Sequence, residues 1–588
     1  MTRSLRFAVA LSALSICAFL GCTQGEELEA APYSWGVPVQ VDAEGLVQEP
    51  TDLAVNGSGA AVVGWTDQKN QVWTNRYQPD QGWSTAELME TGPGYVSYSV
   101  SPRVAISQDG SALLVWVEDQ PSAIRASHYA PGEGWSGPEQ LDRSSDQYLV
   151  SGVDVAMDQG GRAIATWRRQ GNEPSIVASR YEPGRGWLEP ERIDDSNAAD
   201  GYDTRVAVNP GGDAIAIWLG GDGSGGRVFA NQYTPASGWQ ASEAIDSGDS
   251  WIEGPEVAID GSGNGIAVWR QDYYDGAFSS TRITANRYTP NDGWRDPEPI
   301  EADSQSYSYL PHIAMNVSGV AMVVWTRSEQ GETPGGVLSM RYDRESGWEN
   351  EELIEPNPFA SSDRFPRVAI DPKGNALMVC KAYGRATEAV LSSHYEPGEG
   401  WDDSMRIDIR FLPPGPPQVG MDDRGKGIAV WTKSTAHTSG VFANHYDESP
   451  AEDHGAFFQP ICDARCTRAT ECELLDGEED VAQCLSECMA DFNRLVCDPN
   501  QGGAEICIRD IGAMSCGDLE VGNFPYECEY VCVGDTLCDD RTCDDQNECT
   551  DDACDPADGS CVSSPAADGT PCADGAGTCD GGFCGSVR

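Results

Sequence analysis

Histidine is scarce in this chain, six in 588 residues, and so is positive charge, with 38 Lys and Arg against 94 Asp and Glu. No histidine stands beside a plausible Ser or Cys nucleophile, which argues against hydrolysis of the Ser-His or Cys-His kind. The formal net charge of −56 repels nucleic acid and anionic membrane surfaces, and favours cations, basic partners or a salty medium. No segment of the stretch from Leu53 to Trp431 keeps a helical period, and the apolar run Phe7 to Leu20 is too short for a comfortable membrane span. From Thr23 to Ile461 the only cysteine is Cys380.

What is present is core material and repetition. The 17 Trp, 20 Tyr and 13 Phe exceed what an unfolded acidic tail carries. Of the 21 cysteines, eighteen fall between Cys462 and Cys584, and so dense a set reads as disulfides made in an oxidising compartment. Arg3 and Arg6 before the apolar run give the pattern of a secretory signal over residues 1–21. The run ends in Phe19-Leu20-Gly21-Cys22, which resembles the lipobox of bacterial lipoproteins, with Phe19 where that family usually has Leu. The resemblance implies that Cys22 becomes a lipidated first residue and residues 22–33 a tether, with the mature chain exported and anchored at the outer membrane or cell surface.

Two tryptophan ladders then run through the chain. Trp65, Trp116, Trp167, Trp218, Trp269, Trp325, Cys380 and Trp431 are separated by 51, 51, 51, 51, 56, 55 and 51 residues. Trp83, Trp135, Trp187, Trp239, Trp294, Trp348 and Trp401 form the second ladder, mostly after Gly. A period near fifty signals a solenoid or propeller. Each unit reads as four short strands, as in Arg103 to Ile106, Ala112 to Val117, Ile124 to Tyr129 and a last one opened by Trp135, bounded by Gly and Pro turns. The eighth unit lacks its Gly-Trp strand, and the missing piece stands at the other end, where Ser34 to Asp42 matches Gly134 to Asp142. The expectation is an all-β, eight-bladed β-propeller over residues 34–446, closed by an N-terminal strand. An open stack of β-units is the rival.

Repeats also sort scaffold from candidate site. The turns between first and second strands are alike, and so are the Pro-Gly turns before the second Trp; the opposite side varies. Aromatic residues among Asp, Ser and Gly on that side make Tyr148, Tyr202, Trp251, Tyr273, Tyr274 and Tyr309 the candidate ligand-binding residues for a glycan or protein, with gap-filling between blades as the alternative. Two residues before the small residue of each first strand stand Asp52, Arg103, Asp154, Arg205, Glu256, His312, Arg367 and Gln418. They are expected near one mouth of the channel, as salt-bridged neighbours or as an ion or ligand funnel. Asp158-Gln159-Gly160-Gly161 leading to Trp167 resembles the Asp-box turns of sialidase-type propellers, though neither that family's three-arginine clamp nor its Tyr nucleophile can be assembled.

Residues 447–460 read as a linker, 461–535 as a partly helical cysteine-rich module and 536–588 as a disulfide-rich module. Cys462, Cys466, Cys484 and Cys488 form two i, i+4 pairs that could clamp a helical hairpin, 462 with 488 and 466 with 484, although spacing does not fix connectivity. The stretch from Cys543 to Cys554 resembles Cys-rich modules of myxobacterial surface proteins, and Gly569-Thr570-Pro571-Cys572 is similar to segments of disintegrin-type domains. No cofactor or metal is expected; calcium at the Asp544 to Asp552 acids is the one alternative, without EF-hand spacing. The leading function is a monomeric cell-surface lipoprotein, a non-catalytic binding or adhesion scaffold. A secreted glycan-active enzyme, whose paired carboxylates would be hidden among many acids, and a structural envelope protein are the alternatives.

Overall fold

In a computed structural model the described residues are 34–447, apart from loop stretches of which 90–101 is the longest, together with five strand segments between Thr550 and Ser586. Cys22, Cys462, Cys466, Cys484, Cys488 and the part of the acidic cluster from Asp544 to Glu548 lie outside them. Residues 34–447 form eight antiparallel sheets of one pattern. In the second, Arg103–Ile106 is innermost, followed by Ala112–Asp119 and Ser122–Ala130, with Gly134–Trp135 and Glu139–Arg143 outermost. The outer strand is broken because Tyr129 opposes Trp135 while Ala126 opposes Glu139, so the outer chain has one residue more than its partner. Pro138, which offers no ladder N–H, sits in that gap.

The ring closes as the sequence predicts. Ser34–Trp35 and Val39–Gln40 pair with Ser439–Asp447, Trp35 opposite Tyr446 and Val39 opposite Ala443. Trp35 lies 5.5 Å from the Tyr446 ring, inside the 5.1 to 5.5 Å range of the same Tyr–Trp pair in the other seven blades. The N-terminal strand therefore replaces a missing strand without altering the packing, which rules out the open stack.

Burial explains why the first ladder is tryptophan. Trp65, Trp116, Trp167, Trp218, Trp269, Trp325 and Trp431 are among the largest fully buried side chains. Each fills the wedge between two blades: Trp167 packs with Val117 and Ile124 of the preceding blade and with Val153 and Val177 of its own. Cys380 occupies the same wedge among Met322, Val324 and Val337, fully buried, and desolvation pushes its thiol up to about 12.

A second set of contacts links blades through cations or imidazoles laid on tyrosines. Arg76 lies 3.6 Å above Tyr129, His128 5.1 Å from Tyr181, Arg180 5.2 Å from Tyr233, and His394 5.4 Å from Tyr446. His445 carries the pattern across the seam, 4.3 Å from Tyr77, and accepts the Trp83 indole N–H at 3.2 Å. Half of the chain's histidines are thereby committed to the scaffold, His128, His394 and His445.

The tight turns on one face are equally regular. Gly59, Gly110, Gly161, Gly212, Gly263, Gly319, Gly374 and Gly425 all have φ between 83° and 93°, the left-handed conformation that glycine adopts without strain. Neighbouring turns join: Asn56 Nδ2 donates to the Ser107 carbonyl at 2.8 Å, and Arg424 donates across the seam to Ser58 at 2.8 Å. This face is bound into the scaffold, so variation is left to the other.

Candidate functional site

On that other face five of the eight inner strands pair with their neighbour through a register shift. Four of these shifts fall between Ser151 and Asp154, Tyr202 and Arg205, Glu253 and Glu256, and Tyr309 and His312. The residue two before the channel position is left-handed in five consecutive blades: Gly152, Asp203, Gly254, Leu310 and Phe365, with φ between 46° and 58°. Glycine takes this conformation freely and aspartate tolerates it, but a leucine or phenylalanine there costs about 1–2 kcal/mol. Strain of this kind gathers at ligand clamps and active sites. Leu310 and Phe365 line one cavity of about 310 Å³, whose other walls are Glu253, Gly254, Arg270, Tyr309 and Pro311.

The charged side of this cavity is built on Arg270. It pairs with Glu253 and, at 3.1 Å, with Asp272, while its guanidinium stands 5.0 Å from the Tyr309 ring. Glu253 also accepts the Trp251 indole N–H at 2.7 Å, and Trp251 remains 53% exposed at the edge. Burial pushes the Asp272 carboxyl above its ordinary value, Arg270 pulls it back, and Glu253 adds to the rise. The result is a cavity lined by an aromatic ring, a guanidinium and the Glu253 carboxylate, with the exposed Trp251 indole bonded to Glu253 and Asp272 to Arg270, enough to stack a sugar ring and bond its hydroxyls.

Two of the six aromatic candidates, Trp251 and Tyr309, are thus brought together. Tyr273 is not: its hydroxyl shares a 2.7 Å hydrogen bond with Thr284, and Arg282 lies 3.9 Å over its ring, so it packs against its own sheet. Tyr148, Tyr202 and Tyr274 are strand residues opposite Gly171, Leu219 and Ser279, and their side chains lie outside the described residues. Glu253, Arg270 and Asp272 escaped sequence reasoning because charged residues are ordinary on a variable face. The signal for the cavity was a repeat position occupied by Gly or Asp in three blades and by Leu or Phe in the next two.

The channel ring sits two residues further along the same strands. Asp52 and Asp154 flank Arg103, each at 3.8 Å, and Glu256 lies 3.3 Å from Arg205. Each aspartate also accepts a backbone N–H from the next blade, Val104 for Asp52 and Val206 for Asp154, both at 2.9 Å. His312 makes the same bond, its Nδ1 accepting the Val368 N–H at 3.2 Å, and Gln418 donates to the Thr51 carbonyl at 3.3 Å. Burial raises the Asp154 carboxyl to about 6 despite Arg103 and Arg205, and also raises Asp52. Burial works against the Arg205 charge, yet Glu256, Asp203 and Asp154 overcome it and raise its pKa. Burial, then Arg367 and Arg205, hold His312 far below its usual pKa, so it is neutral. Arg103 and Arg205 are committed to ring carboxylates and are not free to form a three-arginine clamp with Arg367.

A repeated set of buried carboxylates at the outer strand ends was not singled out from the sequence. Asp42, Asp194, Asp246 and Asp408 accept the N–H of Val441, Ile176, Val228 and Val390 at 2.9 to 3.0 Å. Each follows an Ile or Val in the repeat, so the pattern was legible. These acids are scaffold: each accepts a backbone N–H, and Asp194, Asp246 and Asp408 also pair with Arg192, Arg227 and Arg406. Among the described residues no group of three or more His, Cys, Asp or Glu is placed to hold a metal ion.

No protein-family model matches this chain, and no curated protein does. Among solved structures, the chain is similar to a lectin from Burkholderia pseudomallei, with TM-score 0.42 and 10% identity over 63% of this chain and 100% of that one. It is similar to an ulvan lyase, a polysaccharide lyase, with TM-score 0.40 and 10% identity over 62% of this chain and 94% of that one. A Penicillium chrysogenum α-L-arabinanase complexed with arabinobiose gives TM-score 0.33 and 12% identity over 52% of this chain and 94% of that one.

Proposed function

We propose that the protein is an exported, lipid-anchored propeller that binds a glycan on its variable face without transforming it. The observation that carries this reading is the coincidence of two strained, bulky residues, Leu310 and Phe365, with a cavity edged by the exposed Trp251 and by Tyr309. The left-handed position that holds Gly or Asp in the three preceding blades bears these residues where a concave surface results. Aromatic faces suit the apolar side of a sugar, and Glu253, Arg270 and Asp272 offer acceptors and donors for its hydroxyls.

A catalytic reading needs one carboxyl to give up a proton while another stays ionised. Glu253 and Asp272 are both engaged by the Arg270 guanidinium and neither stands free to pass a proton to a ligand, which supports binding over catalysis. The upward push on Asp272 is the observation that keeps a glycan-active enzyme as the second reading. Polysaccharide arrays with product analysis separate them. Binding that falls at least tenfold in Trp251→Ala and Tyr309→Ala, with no product released, supports the first; turnover abolished by Glu253→Gln or Asp272→Asn supports the second. Binding unchanged in both aromatic variants rules out the site.

Anchoring rests on the Phe19-Leu20-Gly21-Cys22 pattern alone. Labelled palmitate should enter the exported protein and be lost in Cys22→Ala; label retained by that variant would remove Cys22 as the anchor.

A further inference from the structure

The channel ring carries three carboxylates, Asp52, Asp154 and Glu256, and three arginines, but only two of the arginines stand against a carboxylate. From Asp52 to Glu256 acids and arginines alternate, and Arg103 and Arg205 each lie within 4 Å of a ring carboxylate. Blades six to eight supply His312, Arg367 and Gln418, and among the described residues no carboxylate lies within 4 Å of Arg367. Its hydrogen bond goes to the carbonyl of Pro366, at 3.0 Å.

The omission is local and specific. His312 does the structural task that Asp52 and Asp154 do, accepting the N–H of the residue after the next arginine, Val368 in place of Val104 or Val206. An aspartate there would serve the backbone equally well and would also neutralise Arg367. With Nδ1 accepting, the proton of the neutral imidazole sits on Nε2, a second donor beside an arginine that feels Glu256 and Asp52 only at a distance and has no carboxylate in contact among the described residues. Phe365 and Leu310 of the cavity wall lie two residues before Arg367 and His312, within about 7 Å along an extended chain.

We propose that the channel mouth at blades six to eight binds a carboxylate, that of an acidic sugar residue whose ring lies in the Tyr309–Phe365 cavity, with Arg367 as the counter-charge and His312 as a further donor. The sugar part rests on the glycan-binding reading above; the carboxylate part rests on the ring. The chain's net charge of −56 opposes anions at long range. Selectivity must therefore come from contacts well inside a screening length of about 8–10 Å.

The test titrates the full-length protein with methyl glucuronide, methyl glucoside and sodium acetate, followed by ligand-detected NMR. The glucuronide should bind at least tenfold more tightly than the glucoside, since a charge-assisted contact distinguishes them. Arg367→Gln should erase that preference. So should His312→Asp, which keeps the acceptor for Val368 and supplies the missing counter-charge; it guards against misfolding of the arginine variant, and circular dichroism checks both. Equal binding of glucuronide and glucoside would overturn the carboxylate site and leave the glycan reading standing. Acetate binding as well as glucuronide, with both lost in His312→Asp, would support the carboxylate site and count against the glycan reading. No binding of glucuronide or acetate, or a preference that survives His312→Asp, overturns the proposal.

Discussion

At the scale of single residues, identical side chains are set to different uses by their position in the repeat. His445 illustrates it: burial lowers its pKa to about 4 from an ordinary value of 6.5, against the opposing pull of Asp447, while the imidazole lies against Tyr77 and receives the Trp83 N–H. The unfolded chain then takes up the proton first as pH falls, so the stabilisation is complete above about pH 6.5 and is lost as pH drops towards 4. Between pH 7 and 4.5 the natural protein should lose about 2–3 kcal/mol more than His445→Gln, measured by denaturant titration. The same pH dependence in both proteins would exclude this role. Cys380 gives a second test. A fully buried thiol pushed up to about 12 should resist iodoacetamide in the native protein and react once the chain is unfolded, as peptide mapping will show.

At the scale of the strand, the seam is the element whose loss tells most. Trp35 is 6% exposed and reproduces the Tyr–Trp contact of the other blades with Tyr446, far away in sequence. Trp35→Ala should cost about 3–5 kcal/mol. Because closure leaves no free blade, that loss should reach the opposite side of the ring: amide exchange in Arg227–Thr234, half a turn away, should quicken in a chain lacking residues 34–42. Unchanged protection there would mean that the blades fold independently of closure. The broken outer strand was less legible than its neighbours. A continuous strand from Trp135 to Leu141 fits the alternation, and only the pairing with Tyr129 and Ala126 shows the extra residue that Pro138 accommodates.

At the scale of the whole molecule, a net charge of −56 means self-repulsion that only salt or cations relieve. The melting temperature should rise as sodium chloride goes from about 10 mM to about 150 mM, where the screening length falls from ~30 Å to ~8 Å. A melting temperature that falls over this range would show that the arginine–carboxylate pairs on the blades outweigh the repulsion.

The sequence by itself determined the blade count, the seam and the two tryptophan ladders. Each follows from a local rule repeated at a fixed period: a buried wedge between blades, a glycine turn, a strand that needs a partner. Trp251 and Tyr309 were visible as candidates because they depart from the repeat. Only the tertiary structure decided that Tyr309 lines a cavity with Glu253 and Arg270, that Trp251 is tied to that wall through Glu253, and that Tyr273 turns away to Thr284. It alone showed which ring carboxylates meet which arginines, and that His312 keeps the backbone bond of an aspartate without placing a carboxylate in contact with Arg367. The physical reason is that repetition fixes what each residue does within its own blade. Contacts between blades depend on the curvature of the closed ring, which brings together side chains some fifty positions apart and which no local pattern encodes.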